Sequence, residues 1–259
     1  MKIVALALCM WSLCLYGLYY GSPNLPNTTK EGIIIPQDWF FGLKIGYQND
    51  YVFDKSLKVA NRLSAQKIEV FNYYLQQGEI TFNFVDRFEV YGLLGAMKFR
   101  IEPRNSGVIR QLYETNNHFS WGFGARGILF EWARGVLGLD FKYMGSSPSL
   151  QSIAHNGVPR DSGHAYLRYR EWQIGLGLAY ALETFSPYIG AIYNQSTGHY
   201  KKLPLDLLPD HKSYFSVVSK TKFGMALGVT LSTGSIFTLD LEARMFNETA
   251  LSAAANVKF

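Results

Sequence analysis

Apolar and polar residues alternate strictly along most of this chain, which predicts strands with one apolar face and one polar face. The pattern is plainest near the C-terminus. Over residues 237–245, Phe237, Leu239, Leu241, Ala243 and Met245 alternate with Thr238, Asp240, Glu242 and Arg244. After a short turn at Asn247-Glu248, Leu251, Ala253, Ala255, Val257 and Phe259 alternate with Ser252, Ala254, Asn256 and Lys258. Three successive charges on one face, Asp240, Glu242 and Arg244, suit a wet lumen better than a dry core. A short helix over the alanines is the competing reading, but residues 247–258 carry no apolar stripe at helical spacing.

The same reading predicts eight earlier strands, at 39–52, 67–85, 88–101, 118–130, 135–144, 165–181, 186–195 and 214–231. The predicted fold is an all-β, antiparallel transmembrane barrel of about ten strands, twelve being the alternative count. Links alternate between short ones, near 86–87, 131–134, 182–185 and 232–235, and longer ones, near 53–66, 102–117, 145–164 and 196–213. Short periplasmic turns and longer external loops have this rhythm, and an even strand count leaves both termini in the periplasm. Alternation points Lys44, Glu79, Arg126, Asp140, Lys142, Lys222, Asp240, Glu242 and Arg244 inward, as candidate pore-lining residues. On the third strand it puts Tyr91, Leu93, Met97 and Phe99 outward, with Gly92, Lys98 and Arg100 inward. Inward glycines, among them Gly124, Gly175, Gly177 and Gly228, serve wall curvature or leave lumen space.

Composition agrees. Charged residues are 17% of the 259, below the usual quarter, and aromatics are 15%. Beyond the N-terminus no apolar run is long enough for a membrane helix. The formal charge of +5 comes without a Lys/Arg cluster, so nucleic acid is not an expected partner. Residues 1–21 read as an export signal, with Lys2 ahead of an apolar run and small residues at Gly17, Gly21 and Ser22. A polar segment at 22–37 reads as a periplasmic lead-in, and 38–259 as the barrel. Both cysteines, Cys9 and Cys14, fall in the signal. A mature chain without them has no disulfide, thiol catalysis or cysteine metal site.

Several stretches in order resemble the chlamydial major outer membrane porin family. They are Gly46-Tyr47-Gln48-Asn49-Asp50-Tyr51-Val52-Phe53-Asp54-Lys55, Asp86-Arg87-Phe88-Glu89-Val90, Leu94-Gly95-Ala96, Gly124-Ala125-Arg126, Glu171-Trp172-Gln173 and Phe185-Ser186-Pro187-Tyr188-Ile189-Gly190. The end of the chain is similar too, and Phe259 resembles the C-terminal assembly signal of outer-membrane barrels. The resemblance implies an outer-membrane channel, often trimeric. Typical members are longer and cysteine-rich, so their disulfide cross-linking is not carried over.

The expected function is therefore a porin: passive diffusion of ions and small hydrophilic solutes through a narrow lumen. Lys44, Arg126 and Lys222 lead an expected weak anion preference. Expected partners are outer-membrane lipid, the barrel assembly machinery, the solutes and a trimer of the chain itself. No cofactor, metal or catalytic residue is expected. The alternatives are a plugged structural or adhesin-type barrel displaying its loops, and a rim hydrolase. The hydrolase would use Asp210-His211, but adjacent strand residues point to opposite faces, and His118, His155, His164 and His199 carry no local motif.

Overall fold

A computed structural model describes residues 18–29, 32–35, 39–60, 67–105, 109–204, 214–233 and 236–259. They form a short helix, α1 (Leu25–Thr28), and fifteen strands. In chain order these are β1 (Phe41–Lys55), β2 (Leu57–Val59), β3 (Lys67–Phe84), β4 (Phe88–Asn105), β5 (Ile109–Thr115), β6 (His118–Trp132), β7 (Gly135–Ser146) and β8 (Leu150–His155). They continue with β9 (Val158–Arg160), β10 (Tyr166–Tyr180), β11 (Phe185–Lys201), β12 (Phe215–Ser219), β13 (Phe223–Thr233), β14 (Phe237–Met245) and β15 (Glu248–Lys258). Ten of them make a closed ring, β3-β1-β15-β14-β13-β11-β10-β7-β6-β4, and β4 pairs back with β3. Every rung is antiparallel, so no backbone edge faces lipid. The ten-stranded barrel read from alternation is the fold the chain adopts.

The remaining five strands grow out of the long links. β2 pairs with β12, which also pairs with the end of β11; β5 pairs with the end of β4 and with β8, which pairs with β9. The long links therefore raise the wall at one end of the barrel instead of hanging from it as plain loops. The strand expected at 214–231 divides here into β12 and β13.

On eight of the ten walls the buried face is the one alternation makes polar, and over 186–195, now β11, the pattern is too unclear to assign a face. β4 is the exception. Leu93 is 1% exposed and Leu94 59%, and Tyr91, Met97 and Phe99 also point in, while Lys98 and Arg100 are exposed. The cause is one residue of turn. Reading the link as 86–87 pairs residue 85 with 88, whereas the chain turns at 85–87 and pairs Phe84 with Phe88. Val85 and Asp86 both take positive φ, 53° and 51°, to make this three-residue corner. A one-residue change of register moves every side chain to the other face. Gly92 accordingly faces out, with nothing within 4 Å of where a Cβ would stand, and Glu89 faces in, opposite Arg126.

The outer surface is that of a membrane barrel. Ile45, Ile80, Phe123, Leu139, Ile174, Leu176, Ile189, Leu241 and Leu251 are exposed between two aromatic belts. Trp39, Phe40, Phe88, Trp132, Tyr180 and Phe185 ring the short-turn end; Tyr51, Phe53, Phe119, Trp121 and Phe223 ring the other. Such girdles sit at the headgroup level on either side of an apolar band.

The inverted face of β4 can be checked by single cysteines at Leu93 and Leu94, in a background with Cys9 and Cys14 changed to serine. A lipid-soluble maleimide should label Leu94→Cys readily and Leu93→Cys poorly in reconstituted protein. The opposite labelling would restore the register read from the sequence.

Candidate functional site: the lumen

Ten strands lie between the eight that side chains fill and the sixteen that hold a water channel. The interior is correspondingly crowded, in two layers. At the short-turn end the lining is ionic. Lys44 Nζ donates to Glu89 Oε1 at 2.6 Å, and Arg126 reaches both Glu89, at 3.4 Å, and Asp140, at 3.2 Å. The Tyr91 hydroxyl donates to Asp140 at 2.7 Å, and its ring lies over Gly124, where a Cβ would come within 2.3 Å of it. Gly228 admits the Tyr188 ring in the same way, at 2.3 Å. These glycines make room for large inward side chains from neighbouring strands. Arg244, 0% exposed, is held between Asp50 and Glu242, with Ser252 also on Asp50. Glu79 accepts from the Thr81 hydroxyl at 2.7 Å, and Asp240 from that of Thr230.

Towards the long-link end the lumen becomes apolar. Phe71, Tyr73, Leu75, Met97, Phe99 and Tyr169 fill its width, with Phe99 and Tyr169 ring centres 5.0 Å apart. Above them Leu57, Tyr113, Ile153, Phe215 and Val217, all from the extra strands, meet Tyr200 of β11. Tyr200 stacks on Phe215 at 4.3 Å and 9°, a contact worth about 0.5–1.5 kcal/mol beyond its area. Burial raises the Tyr113 hydroxyl above its ordinary pKa. One ionic group is embedded in this layer: Lys55 bonds Glu171 and Glu248.

The chain's own N-terminal segment occupies the ionic layer. Residues 22–29, expected as a lead-in outside the barrel, lie inside it together with Leu18 to Gly21. Their carbonyls are taken by inward donors: Tyr19 by Lys142 at 2.6 Å, Leu25 by Lys44 at 2.8 Å, Pro26 by Asn83 at 2.8 Å and Thr29 by Lys258 at 2.9 Å. Lumenal polar groups thus satisfy a strand-free backbone that would otherwise be costly to bury.

The major outer membrane porin of Chlamydia pneumoniae is 25% identical over a 371-residue alignment covering 95% of each chain. That of Chlamydia psittaci is 23% identical, covering 96% of each, and the serovar E porin of Chlamydia trachomatis 22%, covering 95% of each. The chain is a homologue of these porins. No family model matches it. Among solved structures it is similar to the outer membrane protease OmpT of Escherichia coli, at 13% identity and a TM-score of 0.43, over 85% of this chain and 95% of that one.

Eight of the nine candidate lining residues of this porin homologue point into the barrel: Lys44, Glu79, Arg126, Asp140, Lys142, Asp240, Glu242 and Arg244. Lys222 does not. It precedes β13, where alternation has no meaning, and its ammonium lies against Tyr193 and Gln195 on the outward face of β11. Four inward acids were missed. Asp50 follows from carrying the β1 alternation past Gln48, and Glu171 from carrying that of β10 before Gln173. Glu89 needed the correct β3–β4 turn, and Glu248 was read as part of a turn. Phe259, the candidate assembly signal, is half-buried, and its amide donates to Leu43 O at 2.7 Å. Asp210 and His211 lie outside the described residues, as do Cys9, Cys14 and the expected signal up to residue 17. His199 Nδ1 meets the Ser216 hydroxyl at 2.7 Å, and among the described residues no carboxylate bonds that ring.

Arg244→Ala should leave Asp50 buried without its guanidinium partner and destabilise the barrel by about 3–5 kcal/mol. The unfolding midpoint in detergent measures this. The double variant Asp50→Ala/Arg244→Ala should recover part of the loss, and a midpoint unchanged in the single variant would show the pair to be solvated.

Proposed function

We propose that this chain is an outer-membrane porin that passes ions and small hydrophilic solutes by passive diffusion. The observation that carries the reading is a closed barrel with a charged lumen, in a chain homologous to porins over 95% of both lengths. Its residues do no covalent chemistry: they shape the path, and wall charge selects what enters it. With the lumen filled as described, this is a closed state. Conduction requires the N-terminal segment and the apolar layer to give way, and an apolar constriction of this kind gates by dewetting. The filled interior is also the one observation favouring a structural barrel that only displays its long-link end.

The preferred ion follows from the inward charges. Lys98, Arg100 and Lys222 lie outside the lumen, which removes much of the ground for an anion preference. Among the described residues the buried acids are Asp50, Glu79, Glu89, Asp140, Glu171, Asp240, Glu242 and Glu248, eight against the six bases Lys44, Lys55, Arg126, Lys142, Arg244 and Lys258. Most are paired, and the surplus is acidic, so the reading is a weak cation preference.

Planar-bilayer recording tests both statements. Folded protein should give discrete current steps, and the reversal potential in a potassium chloride gradient should have the cation-selective sign. Glu79→Gln should move it towards zero. Silence from well-folded protein would favour the structural barrel, and anion selectivity would overturn the charge argument.

A further inference from the structure

The lumen contains a pocket made for an aromatic ring on a peptide, and the chain fills it with Tyr20. Three inward glycines of β10 and β11 form its floor. A Cβ built on Gly175 would lie 2.5 Å from the Tyr20 ring, on Gly177 2.5 Å from its hydroxyl and on Gly190 2.8 Å from the ring. Nothing larger than glycine leaves space there. The ring also meets Tyr188 at 6.4 Å between centres. The backbone on either side is gripped separately. The two oxygens of Glu242 accept the consecutive amides of Tyr20 and Gly21, each at 2.8 Å, while Arg126 donates to the Tyr20 carbonyl at 3.4 Å. Gly21 has φ +79°, a left-handed bend that lets the chain turn from this clamp towards α1.

Shape and charge here point to one ligand. A carboxylate receiving two successive N–H groups reads backbone, and a floor of three glycines under one ring reads an aromatic side chain. Wall curvature alone accounts for neither the alignment of Gly175, Gly177 and Gly190 beneath a single side chain nor the bidentate carboxylate.

We infer that Gly175, Gly177, Gly190 and Glu242 form an internal peptide-binding site, and that the segment it holds, Tyr19–Thr29, is a retained plug that sets the conductance. The inference rests on the channel reading above and adds its regulation. It also bears on processing. Cleavage at the end of the expected signal, residue 21, would remove Tyr20, so the site requires the export signal to be cut before Tyr19. The mature protein then begins inside its own pore.

The test has three arms. The N-terminus of protein extracted from the outer membrane, read by mass spectrometry, should lie before Tyr19; a start at Ser22 or later overturns the proposal. In folded barrels chymotrypsin should spare the Tyr20–Gly21 bond of the wild type and cut it in Gly177→Val, whose side chain fills the floor. Equal cutting in both overturns the docking. In bilayers Tyr20→Ala and Gly177→Val, each checked for the heat-dependent gel shift of a folded barrel, should raise conductance several-fold. Unchanged conductance in both, with a conducting wild type, overturns the plug's role and leaves the porin reading intact. No current from any folded sample, with the protease difference present, overturns the porin reading and with it the gating, leaving the docked segment as internal filler.

Discussion

Closing ten strands into one ring decides nearly everything else about this molecule. The ring satisfies each strand's backbone and leaves no edge for lipid to meet, and it also sets an inner width that a few side chains can span. Inward residues therefore cannot stay solvated independently of one another. They pair across the lumen, as Arg244 does with Asp50 and Glu242, or they stack, as Phe99 does with Tyr169. Where the wall carries glycine, a neighbour's ring moves in. The same limit explains why a strand-free stretch of chain can lie in the barrel at all: its carbonyls meet a lining dense in donors.

The two layers divide the work of stability. In the ionic layer each buried charge is held by an ion pair or a hydrogen bond, and removing one member of an ion pair costs more than the pair contributes. In the apolar layer the aromatic rings supply area and packing. The Lys55, Glu171 and Glu248 group lies among those rings, so it is shielded from water on most sides.

Much of this was legible from residue order. Period-two alternation located all ten walls and faced eight of them correctly, because lipid outside and charge inside give opposite signs at successive positions; over 186–195 its pattern was too unclear to face the strand. It failed on β4, where both faces carry apolar residues and hydropathy could not choose. The choice then fell to the turn, and misplacing it by one residue carried Tyr91, Leu93, Met97 and Phe99 to the wrong side. Lys222 failed for another reason: it precedes its strand, and alternation says nothing there. The docked segment was not legible at all. Gly21 to Lys30 is polar and rich in turn formers, like many segments left in solvent, and what places its first nine residues in the lumen is complementarity to residues more than two hundred positions away, such as Glu242 and Lys258.

The seam between β1 and β15 has a consequence in time. The first long strand bonds to the last, with Lys44 opposite Lys258 and Lys55 opposite Glu248, so the ring cannot shut until the final residues have arrived. Loop closure over such a span is entropically costly, and contacts this distant in sequence make folding slow. Until then β1 and β15 each present an open edge of the kind that joins to other chains. The nascent protein must be kept apart from its siblings for the whole of its passage, and its last strand serves as the latch.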